Sequence, residues 1–334
     1  MKKKTTIDDV AREAGVSRQT VSRAINGMNG ISAGTRERIM EMIDVMGYEP
    51  SRLARGMAGS QTHSIGLIVG NISNPSQADT FQNLYKLAEA ERYDVILRNT
   101  SYQEKLEVKA MKSLIAENVD GIIVLNPDMP IAELEAFADA DCPIVVVNRS
   151  MCAQHVSSIV TDTTRAIKSV VEYLTGIGHT TIGLITRPGK LENIRHYIGY
   201  KQAVAARNLP DLPQLVVQKE VSLLGGYLAT HQLLNQHDAV TAITAYNDLM
   251  ALGAIKACKE RGHNVPDSIS IFGYDDIPFA SYSTPKLSTI RINSEEVAFH
   301  AFKRIKEMIA QPTTNFPTVV LDIDLVLRES TNNI

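Results

Sequence analysis

The stretch AGVSRQTVSRAIN, residues 14–26, gathers two guanidiniums and an amide: Arg18, Gln19 and Arg23. At i, i+1 and i+5 of a helix they spread over one exposed side, while Val21, Ala24 and Ile25 pack inward. A guanidinium fork suits two neighbouring acceptors, and an amide offers a donor beside an acceptor. The guanine O6/N7 edge and the adenine N6/N7 edge present these patterns in the major groove of B-form DNA, which is about 12 Å wide and admits a helix. A lone surface arginine carries no such meaning; the grouping does.

A second set of polar residues leaves the ends of apolar runs: Asn71–Asn74, Asn148–Arg149, Asp162, Asn247–Asp248 and Tyr274–Asp276. The runs themselves (SIGLIVG, YDVILRN, GIIVLN, PIVVVNR, SSIVTD, TIGLIT, AVTAITAYN, SISIFGYDD and STIRIN) are rich in Ile, Val and Leu, with helical stretches such as 103–118, 163–177 and 248–261 between them. Near-continuous apolar runs indicate strands buried on both faces, hence parallel sheets wrapped by helices. In such sheets ligands lie beyond the carboxyl ends of strands. Asp275 and Asp276, adjacent at one exit, point to opposite sides and do not form a shared acid/base pair.

Motifs of catalysis are missing. There is no G-x-x-x-x-G-K-[ST] phosphate cradle, no H-E-x-x-H, no paired C-x-x-C and no G-x-S-x-G. TGIGHTTIG precedes a strand instead of opening a helix, so it is not a dinucleotide fingerprint. Cys142, Cys152 and Cys258 lack metal-ligand spacing and read as reduced structural thiols. His155, His179, His237 and His263 sit near turns and read as solvated. No catalytic residue, cofactor or metal ligand set is expected.

The elements that must position the two polar sets divide the chain. In residues 1–48, Ile7, Val10, Ala11 and Ala14 follow helical spacing, Gly15 ends that helix, and Ser17 caps the next. Ser32 caps a third helix carrying Ile39, Met42, Ile43 and Met46 to Gly47. Three short helices with a glycine turn between the first two form a helix-turn-helix layout. Residues 49–61, within EPSRLARGMAGSQTHS, read as a linker able to form one or two helical turns only against a partner, since nucleation is costly. From about 62 onward, strand and helix alternate for some 270 residues. That is too much for one sheet, and two doubly wound subdomains with a cleft between them are expected.

The charge follows this division. Residues 1–60 hold ten Lys/Arg against seven Asp/Glu, and the remainder holds 24 basic and 30 acidic residues. A basic leading unit on an acidic body points to a polyanion partner for the first unit. The basic start MKKKTTIDDV has no apolar stretch behind it, and no apolar run approaches the roughly 20 residues that span a bilayer. A cytoplasmic protein is expected.

In the first 58 residues the segments DVA, AGVS, TVSR, TRERI, MGYEP and LARGM closely resemble the N-terminal module of the lactose/galactose repressor family. Further on, NDLMALGA, IFGYDD, PKLSTIR and LRES are similar to the effector-binding core of that family. The resemblance implies a homodimeric, DNA-binding transcriptional regulator, a repressor, on a core of periplasmic-binding-protein type. Its cleft would hold a sugar, sugar acid or related metabolite. It implies base reading by Arg18, Gln19 and Arg23, and phosphate positioning by Thr6, Ser17, Thr20, Ser22, Asn26, Ser32 and Thr35. It also makes the linker a hinge helix in the minor groove, with Ala54, Arg55 and the wedge Met57 where leucine is usual. Gly56 is a further departure and costs roughly 1 kcal/mol of helix propensity, so a hinge that orders less readily is expected.

For the core, the resemblance implies an N-subdomain of about 62–161 and 291–320 and a C-subdomain of about 162–290 and 321–334. It places effector contacts at Asn74, Asn148, Asn247 and Asp275. The family's arginine falls on His196, with Arg195 one residue earlier, and both are candidates. Asp275 reads equally as a helix cap, and Asp248 as the cap of the helix it opens. The exit NISNPSQADTF lacks the aromatic pair frequent in the family. The chain carries no leucine-heptad tail after LRESTNNI, so a C2 dimer is expected on a pseudo-palindrome with half-sites about 34 Å apart. The alternatives are a small-molecule binding protein without a DNA function and an α/β enzyme. Whether the effector induces or corepresses is left open by the sequence.

Overall fold

The computed structural model describes residues 5–25, 28–48, 61–138, 142–151, 153–189 and 194–333. The chain opens with three helices, α1 (Ile7–Glu13), α2 (Arg18–Ile25) and α3 (Ala33–Met46). Thr6 and Asp9 form a reciprocal capping box at α1, and Gly15 at φ 65° turns the chain out of it. Ser17 Oγ accepts from the Thr20 amide at 3.1 Å to start α2. Ser32 Oγ accepts from the Thr35 amide at 3.2 Å to start α3. Gly47, left-handed, closes α3. Val10, Ala11, Ala14, Val21, Ala24, Ile39, Ile43 and Tyr48 make the core of this unit.

The rest begins β1 (Ser64–Val69), α4 (Pro75–Ala90), β2 (Asp94–Asn99), α5 (Glu104–Ala116), β3 (Gly121–Leu125), α6 (Ile131–Ala138), β4 (Ile144–Val147), β5 (Val156–Thr161) and α7 (Thr163–Gly176). It continues β6 (Ile182–Thr186), α8 (Arg195–Ala206), β7 (Val216–Gln218), α9 (Leu223–Gln236), β8 (Ala242–Ala245), α10 (Asp248–Glu260), β9 (Ser270–Phe272) and α11 (Pro278–Tyr282). It ends β10 (Thr289–Arg291), α12 (Ser294–Ala310), β11 (Val319–Leu321) and β12 (Asp324–Val326). Two parallel sheets result, in the orders β11-β5-β4-β3-β1-β2 and β7-β6-β8-β9. The fully buried β1, β3 and β4 show why their sequences do not alternate. The first sheet has α4 and α12 on one face and α5 and α6 on the other. The second has α9 and α10 on one face and α7 and α8 on the other.

The chain passes between the two bodies after β5, after β10 and after β11. Three strands escape the sequence pattern. β7, β11 and β12 are each three residues long, and unlike the equally short β9 and β10 they are not marked by the apolar runs. β12 pairs antiparallel with β10, adding a ribbon to the expected parallel sheets. Helices α9 and α10 pack backbone to backbone. A Cβ at Gly226 would lie 2.1 Å from the Met250 carbonyl, and one at Gly253 would lie 2.0 Å from that of Leu223.

Candidate functional site

On α2, Val21 and Ala24 are buried and Ile25 packs beside them, leaving Arg18, Gln19 and Arg23 exposed on the opposite side. The hydroxyls expected at phosphates cluster at helix starts. Thr6 Oγ1 bonds the Asp9 carboxylate at 2.6 Å, Ser17 pairs with Thr20 at 2.9 Å, and Ser32 with Thr35 at 2.8 Å. Helix N-termini concentrate unpaired amides and partial positive charge, which suits phosphate. Ser22 lies on α2, half-buried. Asn26 and the hinge residues Ala54, Arg55 and Met57 lie outside the described residues.

Between the two sheets lie two adjoining cavities of about 70 Å³ and 270 Å³. The inner one brings together Asn74, Asn148, His196, Asn247 and Asp275; Arg195 lines the outer one, which His196 and Asn148 share. Asn74 caps α4 through its Oδ1, and its Nδ2 lies 3.5 Å from Asp275 Oδ2 across the cleft. Asn148 holds φ 64° and bridges the first body, its Nδ2 donating to Asn126 Oδ1 at 2.9 Å and its Oδ1 accepting from Thr161 Oγ1 at 2.9 Å. Asn247 caps α10, leaving its buried Nδ2 without a hydrogen-bond partner.

Asp275 sits at φ 113°, a strained conformation of the kind that collects at functional sites. Burial, then the neighbouring Asp248, hold its carboxyl well above the usual carboxylate range. It caps no helix: the residue that opens α11 is Ile277, with no side-chain cap. Asp276 turns away to Arg291 and Arg328, so the adjacent carboxylates do separate. Asp248 is not the cap it was expected to be. Asn247 takes that place, and Asp248 is buried, accepting from Thr289 Oγ1 at 2.6 Å and the Ile277 amide at 2.8 Å. Burial pushes Asp248 up to about 7.

His196 is buried with its ring centroid 4.6 Å from Tyr246 and 4.5 Å from Tyr274, and its Nε2 has no partner. Burial, then Arg187, push it down to about 3, so the ring is neutral. His179, expected to be solvated, is buried and bonds Thr241 and Ser270 at 3.1 Å and 2.9 Å. It belongs to the core.

Sequence reasoning missed several cleft residues. Arg187 leaves β6 and reaches across to form an ion pair with Asp128, its guanidinium about 6 Å from the rings of Tyr102 and Tyr246. Gln77 Nε2 donates to Tyr102 Oη at 3.0 Å, and Gly70 leaves room for that ring, since a Cβ would lie 2.3 Å from it. Thus aromatic groups do line the cleft, though not from the exit after β1. The rule of strand exits could have found Arg187, Asn126 and Tyr246, each at or just beyond the end of β6, β3 or β8. Behind Asp128, the buried Glu107 accepts from the Asp128 and Met129 amides at 3.0 Å and 2.8 Å. Among the described residues no group of three His, Cys, Asp or Glu is placed to hold a metal. No helix among them is long and apolar enough to cross a membrane.

Comparison with known proteins agrees with this arrangement. Residues 6–51 match the bacterial regulatory proteins of the lacI family, and residues 171–331 match a periplasmic binding protein-like domain. The chain is 32% identical over 333 residues to the HTH-type transcriptional regulator DegA of Bacillus subtilis (strain 168), covering 98% of each. It is 31% identical to the ribose operon repressor of Haemophilus influenzae, covering 97% of this chain and 98% of the relative. A crystal structure of the lac repressor dimer bound to operator and the anti-inducer ONPF superposes with a TM-score of 0.81 at 26% identity, covering 99% of this chain and 100% of that one. With its three-helix reading unit and its two-sheet cleft, this chain belongs to the lacI family of bacterial regulatory proteins.

Proposed function

We propose that the protein is a homodimeric transcriptional repressor. It reads a pseudo-palindromic operator with two copies of α2 and is switched by a sugar, sugar acid or related metabolite in the cleft. The observation that carries this reading is the exposed Arg18–Gln19–Arg23 face on a helix whose other side is fixed by Val21 and Ala24. Arg18, Gln19 and Arg23 meet base edges. Thr6, Ser17, Thr20, Ser22, Asn26, Ser32 and Thr35 position phosphates. Residues 1–48 form the headpiece, 49–61 the hinge with Ala54, Arg55 and Met57 at the minor groove, and 62–334 the effector core. Binding to chromosomal DNA makes the protein cytoplasmic.

In the cleft, Asn74, Asn148, Asn247, His196 and Asp275 bond effector hydroxyls, and Arg195 lies at the rim. Asn247 Nδ2 and His196 Nε2, buried without partners, are the atoms a ligand would satisfy. A ligand bridging both bodies biases their closure, and that changes the spacing of the two hinges. A coupling of about 1–3 kcal/mol gives a 5- to 150-fold switch. Dimerisation is supported by an exposed apolar patch on α9, with Leu223, Leu224 and Leu228, and by Phe279 and Tyr282 on α11. A gel shift on a pseudo-palindrome with a central CG step tests the reading. The wild type gives a salt-sensitive shift and Arg23→Ala weakens it. No shift even in dilute buffer would favour a binding protein without a DNA function.

A further inference from the structure

We propose that the effector is an acidic polyol, carrying a carboxylate or phosphate that Arg149 and Arg195 receive; this rests on the reading of the cleft as the effector site. Charge in the cleft is divided between its two ends. Asp275 and Asn247 line the inner cavity, and Arg149, Arg187 and Arg195 line the outer one. Arg187 is already engaged, since it donates to both oxygens of Asp128, one of them at 2.9 Å. Arg149 donates to a neutral acceptor, the Met129 carbonyl. Arg195 is exposed and, among the described residues, has no ion pair or hydrogen bond.

The nearby acids are occupied. Both oxygens of Glu107 accept backbone amides of Asp128 and Met129. Asp162, which lines a neighbouring cavity with Arg195, caps α7 by accepting from the Arg165 amide at 3.0 Å. Burial, then the positive charge of Arg195, lower the proton affinity of Arg149, while Asp128 and Glu107 act in the opposite direction, so Arg195 repels a guanidinium that these two carboxyls balance only in part. An anion between them removes that repulsion and forms charge-assisted hydrogen bonds with both.

A further observation points to a ligand at the same place. Arg195 is the first residue of α8, whose preceding residue Ile194 supplies no side-chain cap. The open end adds partial positive charge. His196, next along, is over nine-tenths buried, lines both cavities and leaves Nε2 unpartnered. Its neutral ring can bond a hydroxyl without adding charge. A molecule reaching from Asp275 past His196 to Arg195 therefore meets groups for hydroxyls first and guanidiniums last.

The test uses the full chain and matched probes: glucose, galactose and ribose, each with its aldonate and terminal phosphate, the uronates of the two hexoses, and inorganic phosphate alone. Calorimetry should find an acidic member binding about tenfold or more tighter than its neutral parent, with the preference shrinking in high salt. Arg195→Gln, on an exposed side chain, should remove about that factor for the acidic probe and cost the neutral parent much less. Arg195→Lys should restore part of it. The winning anion distinguishes carboxylate from phosphate. Equal binding of neutral and acidic partners overturns the proposal, as does a panel in which no acidic member binds, or inorganic phosphate binding as tightly as a sugar phosphate. A neutral sugar that binds at least as tightly as its acidic partners, loses affinity in Asp275→Ala and shifts the operator equilibrium keeps the regulator and sinks this inference. An absent operator shift without any probe sinks the regulator itself.

Discussion

The headpiece and the cleft are opposite solutions to holding polar groups for use. On α2 the working side chains point into solvent, and order comes from a few apolar residues underneath. In the cleft the working groups point inward from the ends of strands, and order comes from hydrogen bonds among them, such as Asn148 to Asn126 and Gln77 to Tyr102. The exposed face keeps its charges at no desolvation cost and waits for a charged surface. The buried one leaves Asn247 Nδ2 and His196 Nε2 unpaired, at a cost that a ligand can return. Affinity for DNA should therefore follow salt steeply, and affinity for the effector's hydroxyls should follow shape and hydrogen bonding.

The largest way to test the contrast is to remove the support of the smaller unit. Ile39 is fully buried at the centre of the headpiece core. Ile39→Ala should cost about 2–5 kcal/mol. A unit of this size has roughly 3–5 kcal/mol in all. The headpiece should then melt near room temperature while the core keeps its own transition and its effector binding. Two separate transitions by calorimetry check this. One shared transition would mean that the two regions fold as a unit, and the contrast would fail.

Next in size is Arg23→Ala. If the face reads bases, the loss should be about 1–3 kcal/mol on the operator, with relaxed specificity at one position. The effect on the stability of the fold should be near zero, because the side chain is exposed. Fluorescence anisotropy on operator and scrambled duplexes separates the two. Equal loss on both would make Arg23 a phosphate contact.

The same difference explains what could be read in advance. The α2 face is one contiguous stretch, so helical spacing and capping chemistry suffice to put Arg18, Gln19 and Arg23 together on its exposed side. The cleft is assembled from residues far apart in the chain. Asn74 meets Asp275 only because two sheets face each other, and no local pattern announces that Arg187 crosses to Asp128. Runs of Ile and Val predict β1 to β6 and β8 to β10, whereas β7, β11 and β12 are short strands whose apolar residues, such as Val217 and Leu321, join the cores. Asp248 was misplaced by a capping rule that the neighbouring Asn247 already satisfied, and His179 by a turn that packs against β9.

A smaller effect concerns pH and belongs to the buried side of the contrast. Burial raises Glu107 and Asp248 to about 7 in the native fold. Unfolded, such carboxyls titrate near 4. Between these values each of these carboxyls holds fewer protons in the unfolded chain than in the native one, so the stability they contribute is lost as pH rises from about 4 to about 7, whereas the buried neutral His196 works in the opposite direction as pH rises to about 6.5. Asp248→Asn should flatten part of that slope in the core transition, since Thr289 can turn to accept from the amide. The headpiece transition should not follow this trend. A core whose melting temperature depends on pH identically in the wild type and in Asp248→Asn would contradict the burial argument.

The smallest effect sharpens the exposed side. Ser17 is placed to do two things, since its Oγ caps α2 through the Thr20 amide and lies among the hydroxyls assigned to phosphates. Ser32 is built alike at α3, with Thr35 in the place of Thr20. Removing a cap costs about 1 kcal/mol. Ser17→Ala should therefore lower headpiece stability by about that amount and weaken operator and non-specific duplexes by the same factor, because phosphates carry no sequence. Ser17→Gly restores most of the stability, as glycine is a tolerated cap, but leaves the hydroxyl missing. If Ser17→Gly also restores DNA affinity, the hydroxyl serves the helix alone. If affinity stays low while the fold recovers, the same oxygen serves both the helix and the duplex.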